Sequence, residues 1–189
     1  MLKPPQKILE WIAKHFENDS SKMLITTGVL GWALSSAAQI GAILFNKKIS
    51  DKEKSFLLPQ EFMDAITNIG LFLVFTLSTK KLVSKLFSTG KWTTKNVRTY
   101  INKNENLFKD KIGKLDFNID DVLAKTTPAL KEEHTVAKNL GTTLATVGAG
   151  IIASNVITPF VRNKSAAKAQ KNYIGYKSAS PYVSKGMKI

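Results

Sequence analysis

A chain of 189 residues, 43% of them apolar and with a net charge of +14, is long enough for one domain or one small membrane-embedded unit with tails. It has no cysteine, which excludes disulfides, thiolate metal sites and cysteine nucleophiles. Its 28 Lys and Arg outnumber 14 Asp and Glu, an excess that implies an anionic neighbour: lipid headgroups, nucleic acid or an acidic protein.

Residues 1–22 predict an amphipathic N-terminal helix. Ile8, Leu9, Trp11, Ile12 and Phe16 fall largely on one face, and Lys7, Glu10, Lys14 and Glu17 on the other. That pattern suits a helix lying in a membrane interface, and equally a soluble packing helix. The acidic residues fit neither a secretory signal nor a transit peptide.

Residues 23–46 carry no charge between Lys22 and Lys47, and residues 139–161 none between Lys138 and Arg162. Roughly 20 residues carry a helix across the hydrocarbon, so both runs are long enough to span. A soluble helix shows water a polar face, normally with a charge every turn, and neither run has one. The soluble all-α bundle is therefore the lesser reading. Small residues recur along both runs: Gly31, Ala33, Ala37 and Gly41 in the first, and Gly141, Ala145, Ala149 and Ala153 in the last. Such ridges allow the close backbone approach that drives helix association in lipid, with Gln39 and Asn155 as interhelical hydrogen-bonding groups. These eight positions are the candidate helix-packing residues.

Between the two runs, residues 23–87 form the first hydrophobic helix and a hairpin to a second. Ser50-Asp51-Lys52-Glu53 reads as a helix start or turn, and Pro59 suits a first helical position. The helix opened there is expected to reach Phe87. Its uncharged stretch, residues 65–79, is short for a span. It crosses if Asp64, Lys80 and Lys81 reach the interfaces, the lysines along their aliphatic stems; otherwise it is re-entrant or a buried core helix. Residues 88–126 read as a polar connector with room for a helix or two, too poor in apolar residues for a core of its own despite Trp92, Tyr100, Phe108 and Phe117. Thr127-Pro128 with Glu132 and Glu133 reads as the capped start of a third long helix, 127–161, which Pro159 bends or ends.

Residues 162–189 form a basic tail with seven Lys and Arg and no acid, interleaved with Tyr173, Tyr176 and Tyr182. Arg162, Lys164, Lys168, Lys171 and Lys177 are the candidate contacts to anionic lipid or, less favoured, to nucleic acid, unless the tail is simply a basic flank. Catalytic signatures are missing. His15 and His134 lack metal-ligand spacing, and no zincin, Walker or nucleophile-elbow motif occurs. Gly148-Ala149-Gly150-Ile151-Ile152-Ala153 matches a dinucleotide fingerprint, but no acid follows it to hold a ribose, and a small-residue helix explains its glycines. No cofactor or metal is expected.

The expected fold is all-α: a helical membrane protein with two or three transmembrane helices, an amphipathic N-terminal helix and a basic C-terminal tail. With three spans, the N-terminus and connector share one side, and the 46–64 loop shares the other with the tail. Both sides are basic, so the charge bias leaves the orientation open. Three stretches, residues 31–40, Leu58-Pro59-Gln60-Glu61 and residues 157–164, resemble small membrane proteins of unknown function encoded by crAss-like bacteriophages. The resemblance covers about half the chain and implies a virus-encoded protein, packaged in the virion or placed in the host membrane. The long connector departs from a three-span holin. The functional expectation is a non-enzymatic structural or assembly subunit in an integral membrane setting, a homo-oligomer or part of a larger assembly. The alternatives are a holin-like pore or lesion former, and a soluble helical virion protein whose basic tail binds nucleic acid.

Overall fold

The computed structural model describes residues 4–16, 19–162 and 164, all of them in helices, turns or short irregular links; no strand occurs among the described residues. Lys168, Lys171, Lys177 and Glu17 lie outside the described residues. The elements are α1 (Pro4–Phe16), α2 (Ser20–Phe45), α3 (Asp51–Ser88), α4 (Lys95–Lys103), α5 (Glu105–Phe108), α6 (Ile119–Thr126) and α7 (Pro128–Ile152). A π-turn, Ala153–Ile157, carries α7 on to Arg162. The all-α class holds, and α2, α3 and the continuous helix Pro128–Arg162 are each long and apolar enough to cross a membrane.

Local chemistry sets most of the boundaries. Asp19 caps α2 by accepting the Lys22 amide at 2.9 Å. Ser50 opens α3 with a full capping box: its hydroxyl accepts the Glu53 amide while Glu53 accepts the Ser50 amide at 2.9 Å. That cap overrules the placement of Pro59 at a helix start. Pro59 lies inside α3, where its missing N–H leaves one carbonyl of the preceding turn without its helical donor. Gly90, at φ +75°, ends α3 in the left-handed conformation that a side chain would resist. Pro128 takes the first position of α7 as expected, but Thr127 makes no side-chain cap. Pro159 does not end its helix. The widened turn just before it, in which Thr158 donates to the Ala153 carbonyl five residues back, gives the proline ring room.

Residues 65–79 are not a buried core helix, since they sit inside the unbroken α3 with much of their surface exposed. The three long helices run up, down and up, and polar contacts pin both ends. At one end Lys80 pairs with Asp19 at 2.6 Å and Lys138 donates to Ser88 at 2.7 Å. At the other, Lys54 donates to the Leu44 carbonyl at 3.0 Å and Arg162 pairs with Asp64. The connector and α1 therefore gather at the first end, and the α2–α3 turn and Arg162 at the second.

Between these ends the helices touch through small residues. The Phe72 ring lies between α2 and α7, so close that a Cβ at Gly28 would come within 2.5 Å of its Cζ, and one at Gly150 within 3.1 Å of its Cε2. α2 continues 18 residues from Gly28 to Asn46, whereas α7 runs 12 from Gly150 to Arg162. The α2–α3 hairpin thus projects past Arg162 by about 9 Å at 1.5 Å per residue.

The connector departs most from expectation. Val97, Phe108, Ile119 and Leu123, all at most 2% exposed, form the cluster of buried apolar side chains, with Tyr100, Ile101, Phe117, Val122 and Leu130 packed around it. Residues 88–126 do have a core of their own, because three short helices and the first turn of α7 each contribute one to three residues to it. Phe108 anchors it with edge-on contacts to Tyr100 and Phe117.

Candidate membrane-facing surface and polar clasps

The three long helices are apolar on the outside. On α3, Phe56, Phe62, Met63, Ile66, Val74 and Leu77 are all exposed and fall within about a third of the helical circumference. The opposite face carries Asp64, Asn68, Phe72 and Thr76, with Asn68 and Thr76 buried. From Phe56 to Leu77 the outer stripe is about 32 Å long, which matches a hydrocarbon core of about 30 Å. Leu30, Leu34, Leu44 and Phe45 of α2 extend the surface, as do Leu140, Leu144, Ile151, Val156 and Phe160 of α7 and its continuation.

Polar groups turn inward and are mostly satisfied locally. Thr76 donates to the Phe72 carbonyl at 2.7 Å, Thr142 to the Lys138 carbonyl at 2.9 Å and Thr146 to the Thr142 carbonyl at 2.7 Å. Bonding back to its own helix lets a hydroxyl enter a dry contact without a partner across it. The Asn68 Oδ1 is buried with no partner among the described residues.

The candidate packing residues divide between the two ridges. In α7, a Cβ at Gly141 would lie 2.7 Å from Phe87 Cε2, Ala149 and Ala153 are buried, and Ala145 is half-buried. That ridge packs within the chain. In α2, Ala33 and Ala37 are exposed, and a Cβ at Gly31 or Gly41 would meet nothing within 4 Å. The residue of α2 in tight contact is Gly28, which the sequence reading passed over. Gln39 is exposed and Asn155 also faces outward. Of the basic candidates, Arg162 pairs with Asp64, while Lys164 is exposed.

At the first end a polar clasp joins three elements. Asp120 of α6 holds the His134 Nδ1 at 2.7 Å through one oxygen and accepts from Lys138 Nζ at 2.9 Å through the other. The same ammonium donates to the Ser88 hydroxyl at the end of α3. His134 is fully buried against the edge of Phe87, and its Nε2 has no partner among the described residues. The hydrogen bond from His134 does most to hold the Asp120 carboxyl down, at about 2, with Lys138 adding to it against the cost of burial. Ser88 and Lys138 are as close as a serine–lysine nucleophile pair. However, Lys138 Nζ donates to the Ser88 hydroxyl as well as to Asp120, so it stands as a donor to the serine oxygen and not as an acceptor of its proton. The arrangement is suited to fastening α3, α6 and α7 together. Glu133 strengthens the same junction from the next position by accepting from Asn96 at 2.9 Å; hydrogen bonds from Thr94 and Asn96 keep its carboxyl below the usual range.

Sequence reasoning missed Asp19, Lys80, Asp120 and Lys138 as partners. The available signal was positional: each stands at the end of an uncharged run or in the first turn of a helix. Among the described residues no cluster of His, Asp or Glu has the makings of a metal site. The chain matches no protein-family model, no curated protein and no solved structure.

Proposed function

We propose that this protein is a non-enzymatic integral membrane subunit that presents its α2 face for assembly with further chains. The observation supporting the membrane reading is the inverted distribution on α3: exposed apolar side chains over about 32 Å of its outer face, and Asp64, Asn68 and Thr76 on the inner one. In water such an apolar shell, repeated on α2 and α7, exceeds the patch a soluble monomer carries. In a bilayer it is the ordinary lipid-facing surface. The assembly reading draws on the contrast between ridges: that of α7 is used within the chain, and that of α2 is open, while Gln39, on the Gly28 side of α2, is exposed with an unpaired amide. In hydrocarbon an exposed amide gains from an interhelical partner.

An alkaline carbonate wash of membranes from expressing cells tests the first part. The protein is expected to stay in the pellet, whereas one held only by its charge would be released as attraction to headgroups is screened or titrated away. Recovery of most of the chain in the soluble fraction without detergent would refute the membrane reading.

A further inference from the structure

We infer that the loop at residues 109–116 is a second membrane contact, at which Leu115 enters the headgroup layer while the surrounding lysines bind anionic lipid phosphates. This rests on the membrane reading and adds a partner and a place to it. The loop is fixed to the end of α3 at two points: the Gly113 amide donates to the Thr89 carbonyl at 2.8 Å, and Lys85 Nζ donates to the Leu115 carbonyl at 2.8 Å. Gly113 sits at φ +85°, the turn that returns the chain toward Lys85.

Lys85 lies on the stripe of α3 that runs through Val74, Ser78 and Lys81, which is the outward face. Leu115 is therefore tethered over that face, about one turn, some 6 Å, beyond Lys81. It is 78% exposed, more than any other apolar residue of the connector, and Ile112 beside it is exposed as well. A leucine held out into water by two hydrogen bonds gains nothing there. Lys85 is eight residues, about 12 Å, past Leu77 at the end of the outer stripe, and its stem reaches back along α3, so the same side chain stands at the level of the headgroups, where an apolar group can be covered by lipid.

Charge selects the kind of lipid. Lys81, Lys85, Lys109, Lys111 and Lys114 are all exposed around the loop, against the exposed acids Asp110 and Asp116. The excess is positive and lies at headgroup level, where each lysine near an anionic surface adds to the attraction. A zwitterionic surface offers no such net field.

Because the chain has no cysteine, a single probe site can be introduced without removing any. The L115C and V74C variants, each carrying a polarity-sensitive fluorophore, are reconstituted into vesicles of phosphatidylcholine alone or mixed with phosphatidylglycerol. Quenching is read with lipids spin-labelled near the headgroup or deep in the chain, and with aqueous iodide. In the anionic vesicles the probe at 115 is expected to emit to the blue and to be quenched by the shallow label. In phosphatidylcholine, or after K111E/K114E, that quenching should fall about twofold or more. The probe at 74, about 5 Å inside the Leu77 edge of the stripe, should be shielded from iodide and quenched by the lipid labels in both lipids. A probe at 115 that stays open to iodide while that at 74 is quenched by lipid labels would overturn the loop contact and leave the membrane reading standing. Blue emission at 115 without lipid quenching would also overturn it, since protein rather than lipid would then cover the site. Lipid quenching at 115 that is indifferent to lipid charge and to K111E/K114E would refute the anionic-phosphate part. Iodide quenching at both positions would remove the membrane reading and this inference together.

Discussion

The three-helix bundle and the connector follow opposite rules within one chain. In the connector, Val97, Phe108, Ile119 and Leu123 turn inward and lysines turn outward, as water requires. In the bundle, Leu34, Phe62, Val74 and Leu144 turn outward, and Asn68, Thr76, Thr146 and Gly150 turn inward. The side chains that hold the two regions together differ accordingly. The connector relies on apolar burial, about 25 cal/mol per Å² removed from water. The bundle relies on close contact at Gly28, Gly141 and Gly150, where aromatic rings press against bare helix backbone. The Asp120–His134–Lys138 clasp lies at the seam, and its polar contacts join the region with an apolar interior to the one with an apolar exterior.

Exchanging the same residue type between the regions should break the symmetry most clearly. Leu123→Ala removes a fully buried side chain from the connector core and is expected to cost about 2–5 kcal/mol. Leu34→Ala removes a side chain that is 71% exposed on α2, and should change the unfolding free energy by less than about 0.5 kcal/mol. Thermal or denaturant unfolding of detergent-solubilised protein, followed by tryptophan fluorescence, measures both. Equal costs would mean that protein covers Leu34 in the assay, as it would in an assembly through this face of α2, rather than detergent.

The clasp should show itself in pH. The Asp120 carboxyl is lower in the folded chain, about 2, than in an unfolded one, so the folded state binds fewer protons through this group. Its contribution to stability is complete above the unfolded value near 4 and is lost as pH falls from about 4 to about 2. Because the carboxylate keeps some solvent contact, on the order of 1–2 kcal/mol is at stake. Asp120→Asn should flatten that acid limb of the stability curve and lower stability at neutral pH. An Asn variant with the same acid limb as the parent would assign the loss to other carboxylates. Asp19, which caps α2 and pairs with Lys80, should matter less: Asp19→Ala is expected to cost about 1 kcal/mol, read in the same assay.

The parts of this fold that sequence reasoning reached are those decided locally. The lengths of the uncharged runs identified the long helices, and Ser50 with Glu53 marked a start that the capping box confirms. The same local evidence misled at Pro59, because a proline marks a helix start only when no stronger cap stands upstream. The connector core was illegible for a different reason. Its residues are sparse, come from helices of four to nine residues, and form a cluster only once α4, α5 and α6 fold back onto Leu130. The Asp19–Lys80 contact spans 61 positions and Asp120–Lys138 spans 18, separations at which no spacing rule pairs a charge with its partner. The ridge of α7 was legible as small residues every four positions. Its use inside the chain was not, since Phe87 and Phe72 are supplied by α3.

The smallest expected effect on the fold separates packing within the chain from packing between chains, and it does so inside one helix. Gly28 and Gly31 are three residues apart on α2, yet only the first has a neighbour where a side chain would stand. Gly28→Leu drives atoms into Phe72 and should destabilise the single chain by about 1–3 kcal/mol, because overpacking displaces the ring or the helix. Gly31→Leu and Gly41→Leu add side chains to open space, so the unfolding transition should move by no more than about 0.5 kcal/mol. If the open face of α2 is where further chains dock, those two substitutions remove the close backbone approach on which that contact depends. Chemical crosslinking or light scattering in mild detergent should then show smaller assemblies for Gly31→Leu/Gly41→Leu than for the parent, with the melting curve unchanged. An unchanged size distribution would mean that lipid alone covers this face, and the assembly reading would lose its surface.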